Sequence, residues 1–560
     1  MNLLGKGMDP GFWQEVREKE CYKKLRDELF ELWEKHCENV PIYALKYSDF
    51  RLFAVTGNRS VYEDAYFTRR QALNCSTLLS LIYPEEEKYI VRLMDEIYAI
   101  CDEYTWCLPA HQTKLEINNN CNIDLFAAET GFALSEIYTL LGERLEGLIR
   151  DRIRVEIDRR IVIPFTAKES YGWWENGTNN WTAVCAGSVA CTVMLMHPES
   201  FYTLLPRFEK SMERFLSGFS RDGICYEGCV YWHYGFGFFT IFADMLYTFT
   251  SGEMNYFARQ DVRRIATFIQ KMFLSGRAGV SFADARRTLS YHLALVHYLK
   301  NKYPDDVIVY SPDFSYNIDG RARFCRHLIS FIWLDEKLLR DTSDKVCAEY
   351  YAPDAQWFIK RTPFYGFAVK GGCNNEHHNH NDVGSFIFAK NGAHVFTDPG
   401  AGKYTRQYFA SDTRYTILEC SSRGHSVPII NGDFQCDGKE FRASSISYEN
   451  GVFTVDIAGA YDSKGLASLK RSFSFEEDSV TMRDTIDYSG EGTVTERFVT
   501  FIEPRPGEGK TVKVGDTVLD YSSNNANPVI GSEKNTQKTT LYFIDFPLEK
   551  GTTEFTCRIS

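Results

Sequence analysis

Near residue 340 the hydrophobic period of this chain changes from that of a helix to that of a strand, which divides it into two kinds of fold. Before the change, Phe12, Val16, Leu25, Leu29 and Leu32 recur at three-, four- and seven-residue intervals or their sums. Similar periods run through 62–82, 89–100, 125–141, 182–196, 201–219, 236–249, 262–273, 288–299 and 324–339. Ten or more helices with short connectors are expected. Antiparallel helical hairpins in that number can close into an (α/α) toroid or stack as a solenoid, and periodicity does not choose between them. After a polar hinge from Arg340 to Glu349, the stretches 364–370, 385–390, 452–457, 480–486, 493–502, 541–545 and 554–559 alternate and are rich in β-branched and aromatic residues. An antiparallel β-sandwich of about 220 residues is expected there. At 560 residues the chain exceeds one ordinary core. The expected domains are therefore a helical one over 1–340 and a sheet domain over 341–560.

Charge narrows the partners. A net charge of −12 argues against general nucleic-acid binding, so an anionic ligand would have to meet a local basic patch. No run of about 18 apolar residues suggests a membrane span, and MNLLGKGMDPGFWQE lacks a signal-peptide core, so a cytoplasmic location is expected. The 16 cysteines have no framework spacing, and Cys75, Cys101, Cys185 and Cys191 sit at apolar helical positions, as reduced core residues do. A homo-oligomer is compatible with all of this.

Chemistry concentrates in NNEHHNHNDVGSFIFAKNGAHVFTDPGAGKY, residues 374–404. His378 and His380, two residues apart, would share a face on an extended strand. Asp398 ends the next apolar run, before a Pro-Gly turn, where a hairpin would return it to His380; His425 follows 27 residues later. Two imidazoles and a carboxylate suit zinc with a fourth position open. A His/Asn-rich surface turn would carry the same letters. The pattern His378-x-His380-x-Asp382 also occurs in metallo-β-lactamases, but Val383 stands where those place another histidine.

Two stretches of the helical half stand out. In YGWWENGTNNW, residues 171–181, indoles could stack on sugar rings while amides donate hydrogen bonds, although Asn179 or Asn180 would equally cap the following helix. In EGCVYWHYGFG, residues 227–237, Tyr234 precedes Gly235, which would leave room for a ligand; Tyr231 lies on the same helical face, and His233 could shift either phenol. A tyrosine needs help to act as a base, its ordinary pKa being about 10. His111, Arg59, Arg286 and Arg287 are available cations at helix ends or connectors. Glu175, Glu227 and Asp284 are the carboxylates a hydrolase would use.

HNHNDVGSFI followed by TDPGAGKYT resembles the signature that opens the C-terminal domain of the heparinase II/III-like polysaccharide lyases. The resemblance implies a toroid followed by a β-sandwich, and β-elimination of uronic-acid glycans to 4,5-unsaturated products. Glycosaminoglycans such as hyaluronan, chondroitin or heparan sulfate fragments are expected first and oligoalginate second. It implies Asn180, with Asn179 as the alternative, as the amide that binds the uronate carboxylate, Tyr234 as the base at C5, and His378 as the base for the epimeric uronate. Asn179, Trp174, Trp181, His111, Tyr231, His233, Arg287 and Tyr404 are the expected substrate contacts. By the same resemblance His380, Asp398 and His425 hold a structural zinc. Trp181 stands where several relatives carry a histidine, and His377 beside His378 leaves open which ring serves the site. A toroid glycoside hydrolase and a non-catalytic glycan-binding protein are the competing readings.

Overall fold

The structure is a computed structural model that describes residues 3–112, 120–310, 319–340 and 347–560. Most of the polar hinge, residues 341–346, lies outside the described residues. The chain forms two compact units: one comprises 1–218, 233–263 and 291–342, the other 219–232, 264–290 and 343–560. Two stretches from the helical half of the sequence thus belong to the sheet-rich unit.

Helices of two kinds build the first unit. Leu125–Leu141 and Asn180–Met196 are apolar on all sides and buried along almost their whole length, so they form its interior. Around them, Glu87–Cys101 and Pro198–Leu216 turn only one apolar stripe inward. Caps set the starts: Asp124 accepts from the Ala127 amide at 2.7 Å, and Asn179 from the Trp181 amide at 3.1 Å. The helix expected over 262–273 is broken instead into Gln260–Ala266 and Phe268–Lys271, after which Phe273–Ser275 pairs with Ala278–Gly279 as a small hairpin.

In the second unit, Ala348–Ala352, Trp357–Arg361, Gly366–Lys370, Phe386–Lys390 and Ala393–Phe396 pair in that order as an antiparallel sheet. Gly366–Lys370 is buried on both faces, so the alternation expected of it does not mark one face as exposed. An eight-stranded sheet carries the longest strands, Leu466–Phe475 and Val480–Tyr488, and a four-stranded sheet is centred on Thr540–Pro547 and Val494–Thr500. Phe367 and Phe386 of the first sheet, Phe473 and Met482 of the second, and Phe498 and Phe546 of the third meet in one core. Among the described residues, no helix is long and apolar enough to cross a membrane.

Candidate active site

Asp284 organises the polar centre of the sheet-rich unit. Its buried carboxylate accepts from His378 Nδ1 at 2.7 Å and His380 Nε2 at 3.1 Å, from the Tyr408 hydroxyl, and from Arg414 Nη2 at 3.5 Å. Burial alone would push this acid up, but the two imidazoles outweigh it and hold Asp284 well below the usual carboxylate range. The expected strand through His378 is absent. Residues 375–378 turn and 379–382 run on without regular structure, and His378 itself is left-handed at φ 59°, a conformation that costs a non-glycine residue roughly 1–3 kcal/mol. The two rings converge because they share an acceptor, not because they alternate on a strand.

With Nδ1 turned to Asp284, His378 presents Nε2, which lies 3.8 Å from Glu227 Oε2. Its ring stacks on Tyr231, centroids 4.0 Å apart at 21°, and the Tyr231 hydroxyl is 2.7 Å from that of Tyr404. Burial, and then the charge on Asp284, raises the Tyr231 phenol above its ordinary value. His377 is exposed, so His378 is the member of the adjacent pair that joins this cluster.

Behind His378, ligand atoms of His380, Asp398 and His425 all lie within 4.8 Å of one another, fully buried. Among the described residues, His380 Nδ1, His425 Nδ1 and Asp398 Oδ2 have no hydrogen-bond partner, and the last two are 3.2 Å apart. The opposite nitrogens are both engaged, His380 Nε2 by Asp284 and His425 Nε2 by the Glu419 carbonyl at 2.9 Å. Orphaned ligand atoms facing inward, with their rings fixed from behind, fit a divalent cation with an ordered outer shell. Asp382 does not face this group. It pairs with Lys370 at 2.7 Å with both side chains buried, which removes the metallo-β-lactamase pattern.

In the helical unit, Asn179 is the cap and Asn180 the buried first residue of its helix. Gly235 does not open space for a ligand: a Cβ there would meet Phe215 at 3.0 Å and Asn180 Cα at 3.1 Å, so glycine lets the two segments pack closely. Tyr234 is buried; its hydroxyl donates to Glu129, and Arg323 lies over its ring at 4.0 Å. Burial, then the Glu129 charge, holds the phenol well above its ordinary range, while burial lifts Glu129 to about 7 against the pull of Arg323. Trp174, an expected sugar contact, is 3% exposed and donates to the Ile123 carbonyl at 3.1 Å; its neighbour Trp173, 58% exposed, is the accessible indole. Trp173, Trp181 and His111 form a chain of rings at 5.0 and 4.8 Å, and His111 is anchored to Asp124 at 2.7 Å. His233 is buried in this unit. Glu175 is committed to Arg207 at 2.8 Å. In the sheet-rich unit, Arg287 lies over the Phe501 ring at 3.9 Å.

Sequence reasoning weighed Asp284 only as a hydrolase carboxylate, since 94 residues separate it from His378. It missed Glu129, whose one signal was an acid inside the apolar run LFAAETGFAL.

No family model matches this sequence, and no curated protein does. Solved structures do. A heparan sulfate lyase, HepC, from Pedobacter heparinus (a mutant) matches with a TM-score of 0.63 at 11% identity over 100% of this chain and 87% of that one. A heparinase III with methylated lysines gives 0.61 at 13% identity, covering 95% and 84%. A Streptomyces coelicolor A3 chondroitin AC lyase in complex with chondroitin sulphate gives 0.55 at 11% identity, covering 98% and 82%. The chain thus has the heparinase-like polysaccharide lyase fold, a helical (α/α) toroid followed by an antiparallel β-sandwich.

Proposed function

We propose that this protein is a glycosaminoglycan lyase that cleaves uronate-containing chains by β-elimination. The observation that carries the proposal is the pairing of His378 with Tyr231 on a ring-to-ring contact of 4.0 Å, with Asp284 behind the imidazole. His378, its Nδ1–H directed to Asp284, offers Nε2 as the base that removes the proton from C5. The electron pair forms the C4–C5 double bond, the C4–O4 bond breaks, and a proton is delivered to the departing O4. Tyr231 is suited to that delivery by position, its ring stacked on His378 and its phenol protonated at neutral pH as tyrosine ordinarily is. Tyr234 is the less suited phenol for base work, since burial and the Glu129 charge hold it protonated while its hydroxyl donates to Glu129.

Zinc is proposed at His380, Asp398 and His425, where it would fix the turn carrying His378 without activating water. The protein names of its structural neighbours, heparan sulfate lyase and chondroitin AC lyase, support a sulfated glycosaminoglycan as substrate ahead of alginate. A glycosidase reading is disfavoured at Asp284, whose carboxylate is occupied by four donors and is poorly placed to act as nucleophile or acid. The test is incubation with hyaluronan, chondroitin, heparan sulfate and alginate while absorbance at about 232 nm is followed, since elimination alone makes the conjugated double bond. Reducing ends without absorbance would identify a hydrolase.

A further inference from the structure

Phe409 is a large apolar side chain left 48% exposed beside the cluster of the sheet-rich unit. Its ring meets Tyr404 edge-on at 4.8 Å and 76°, and His378 edge-on at 6.4 Å and 89°. Tyr408 is a third ring neighbour at 5.4 Å and 66°, and the rest of the half-exposed Phe409 side chain is open to solvent. Tyr404 is the partner of the Tyr231 hydroxyl, so Phe409 touches both rings that accompany Tyr231.

The segment holding this ring is fixed firmly for one so short. Phe409 ends a four-residue helix, Arg406–Phe409, whose Thr405 cap accepts from the Tyr408 amide at 3.4 Å. Tyr408, the preceding residue, is fully buried and its hydroxyl donates to Asp284; Arg414 Nη1 donates to the Tyr408 carbonyl at 3.0 Å. One carboxylate therefore positions both the imidazole and the anchor of the exposed ring. Nothing in the packing of the sheet core requires a phenylalanine here, since Phe409 lies outside that core. An apolar ring held rigidly in water beside polar groups is the arrangement that receives the CH face of a pyranose.

We infer that Phe409 is a stacking platform for the sugar that adjoins the scissile uronate, and so sets affinity and subsite preference. The inference rests on the proposed lyase reading and extends it to a residue with no acid–base role. It predicts that Phe409→Ala raises KM for a saturated chondroitin or heparan sulfate tetrasaccharide about tenfold or more while kcat stays within about threefold, because stacking acts on ground and transition states alike. Phe409→Tyr should restore KM, as an aromatic face is all that is needed. Saturation-transfer NMR with the same tetrasaccharide should show ring-CH contacts in the unaltered protein that vanish in Phe409→Ala, with circular dichroism confirming the fold. Product formation with unchanged KM in Phe409→Ala, or a Tyr variant as impaired as the Ala variant, overturns the platform and leaves the lyase reading standing. Tetrasaccharide contacts that depend on Phe409 without any 232-nm product overturn elimination and leave the platform. Neither contact nor product overturns both.

Discussion

His378 and Tyr408 donate to the same carboxylate, Asp284, although one belongs to a strained turn and the other to a short helix. This sharing makes the geometry of the cluster depend on a single buried acid, and it sets the first prediction.

Asp284→Asn keeps the shape of the side chain and removes its charge. The His378 ring then loses the acceptor that fixes its tautomer, and turnover should fall about 10²-fold or more, the range typical for misplacing a general base. Glu227, at 3.8 Å from Nε2, offers a weaker alternative partner for the ring. Steady-state rates on the best of the four glycans, with far-UV circular dichroism as a control, check this. An Asp284→Asn variant with unaltered kcat would show that the carboxylate has no part in orienting His378.

The protein as purified should hold about one equivalent of zinc, and His425→Ala should hold none. Because ligand atoms buried without partners are costly when empty, chelation should also lower the melting temperature. Elemental analysis and thermal denaturation with and without chelator measure both. Equal metal content in the two proteins would reassign the cluster.

Glu136 lies within the Leu125–Leu141 helix with neither carboxyl oxygen hydrogen-bonded among the described residues, and burial raises its pKa well above the ordinary value. The folded state therefore keeps a proton that the unfolded chain releases above about pH 4.3. Its stability is fully present below that pH and declines as pH rises toward the folded pKa. Glu136→Gln removes the penalty and should stabilise the protein by about 1–3 kcal/mol at pH 7. The gain should grow from pH 4.5 upward, a trend that denaturant titrations at several pH values read directly. A pH-independent difference would mean that Glu136 is not held protonated.

Helix and strand positions were largely legible because the period of the sequence follows burial. The helix expected over 125–141 is observed as Leu125–Leu141, and the strand expected over 554–559 as Glu554–Ile559. The failures are tertiary. The 262–273 pattern is interrupted at Thr267, and its last residue, Phe273, pairs in a hairpin instead of continuing a helix. Trp173 and Trp174 are adjacent and chemically identical, and only packing against Phe165 and the Ile123 carbonyl decides which is buried. Gly235 reads as space for a ligand until Asn180 is found against it. His378 looks like a strand residue because the composition of a left-handed turn at a histidine has no sequence signature, and Asp284 reaches it from a distant connector.

The central claim is that His378 and Tyr231 together carry out elimination on a uronate glycan. The most direct measurement compares the unaltered protein with Tyr231→Phe and Tyr234→Phe on chondroitin and heparan sulfate, following absorbance at about 232 nm and reducing ends in the same samples. The account predicts absorbance growing in step with new chain ends, a loss of about 10²-fold or more in Tyr231→Phe, and a smaller loss in Tyr234→Phe. New chain ends without absorbance, or full turnover by Tyr231→Phe, would contradict it.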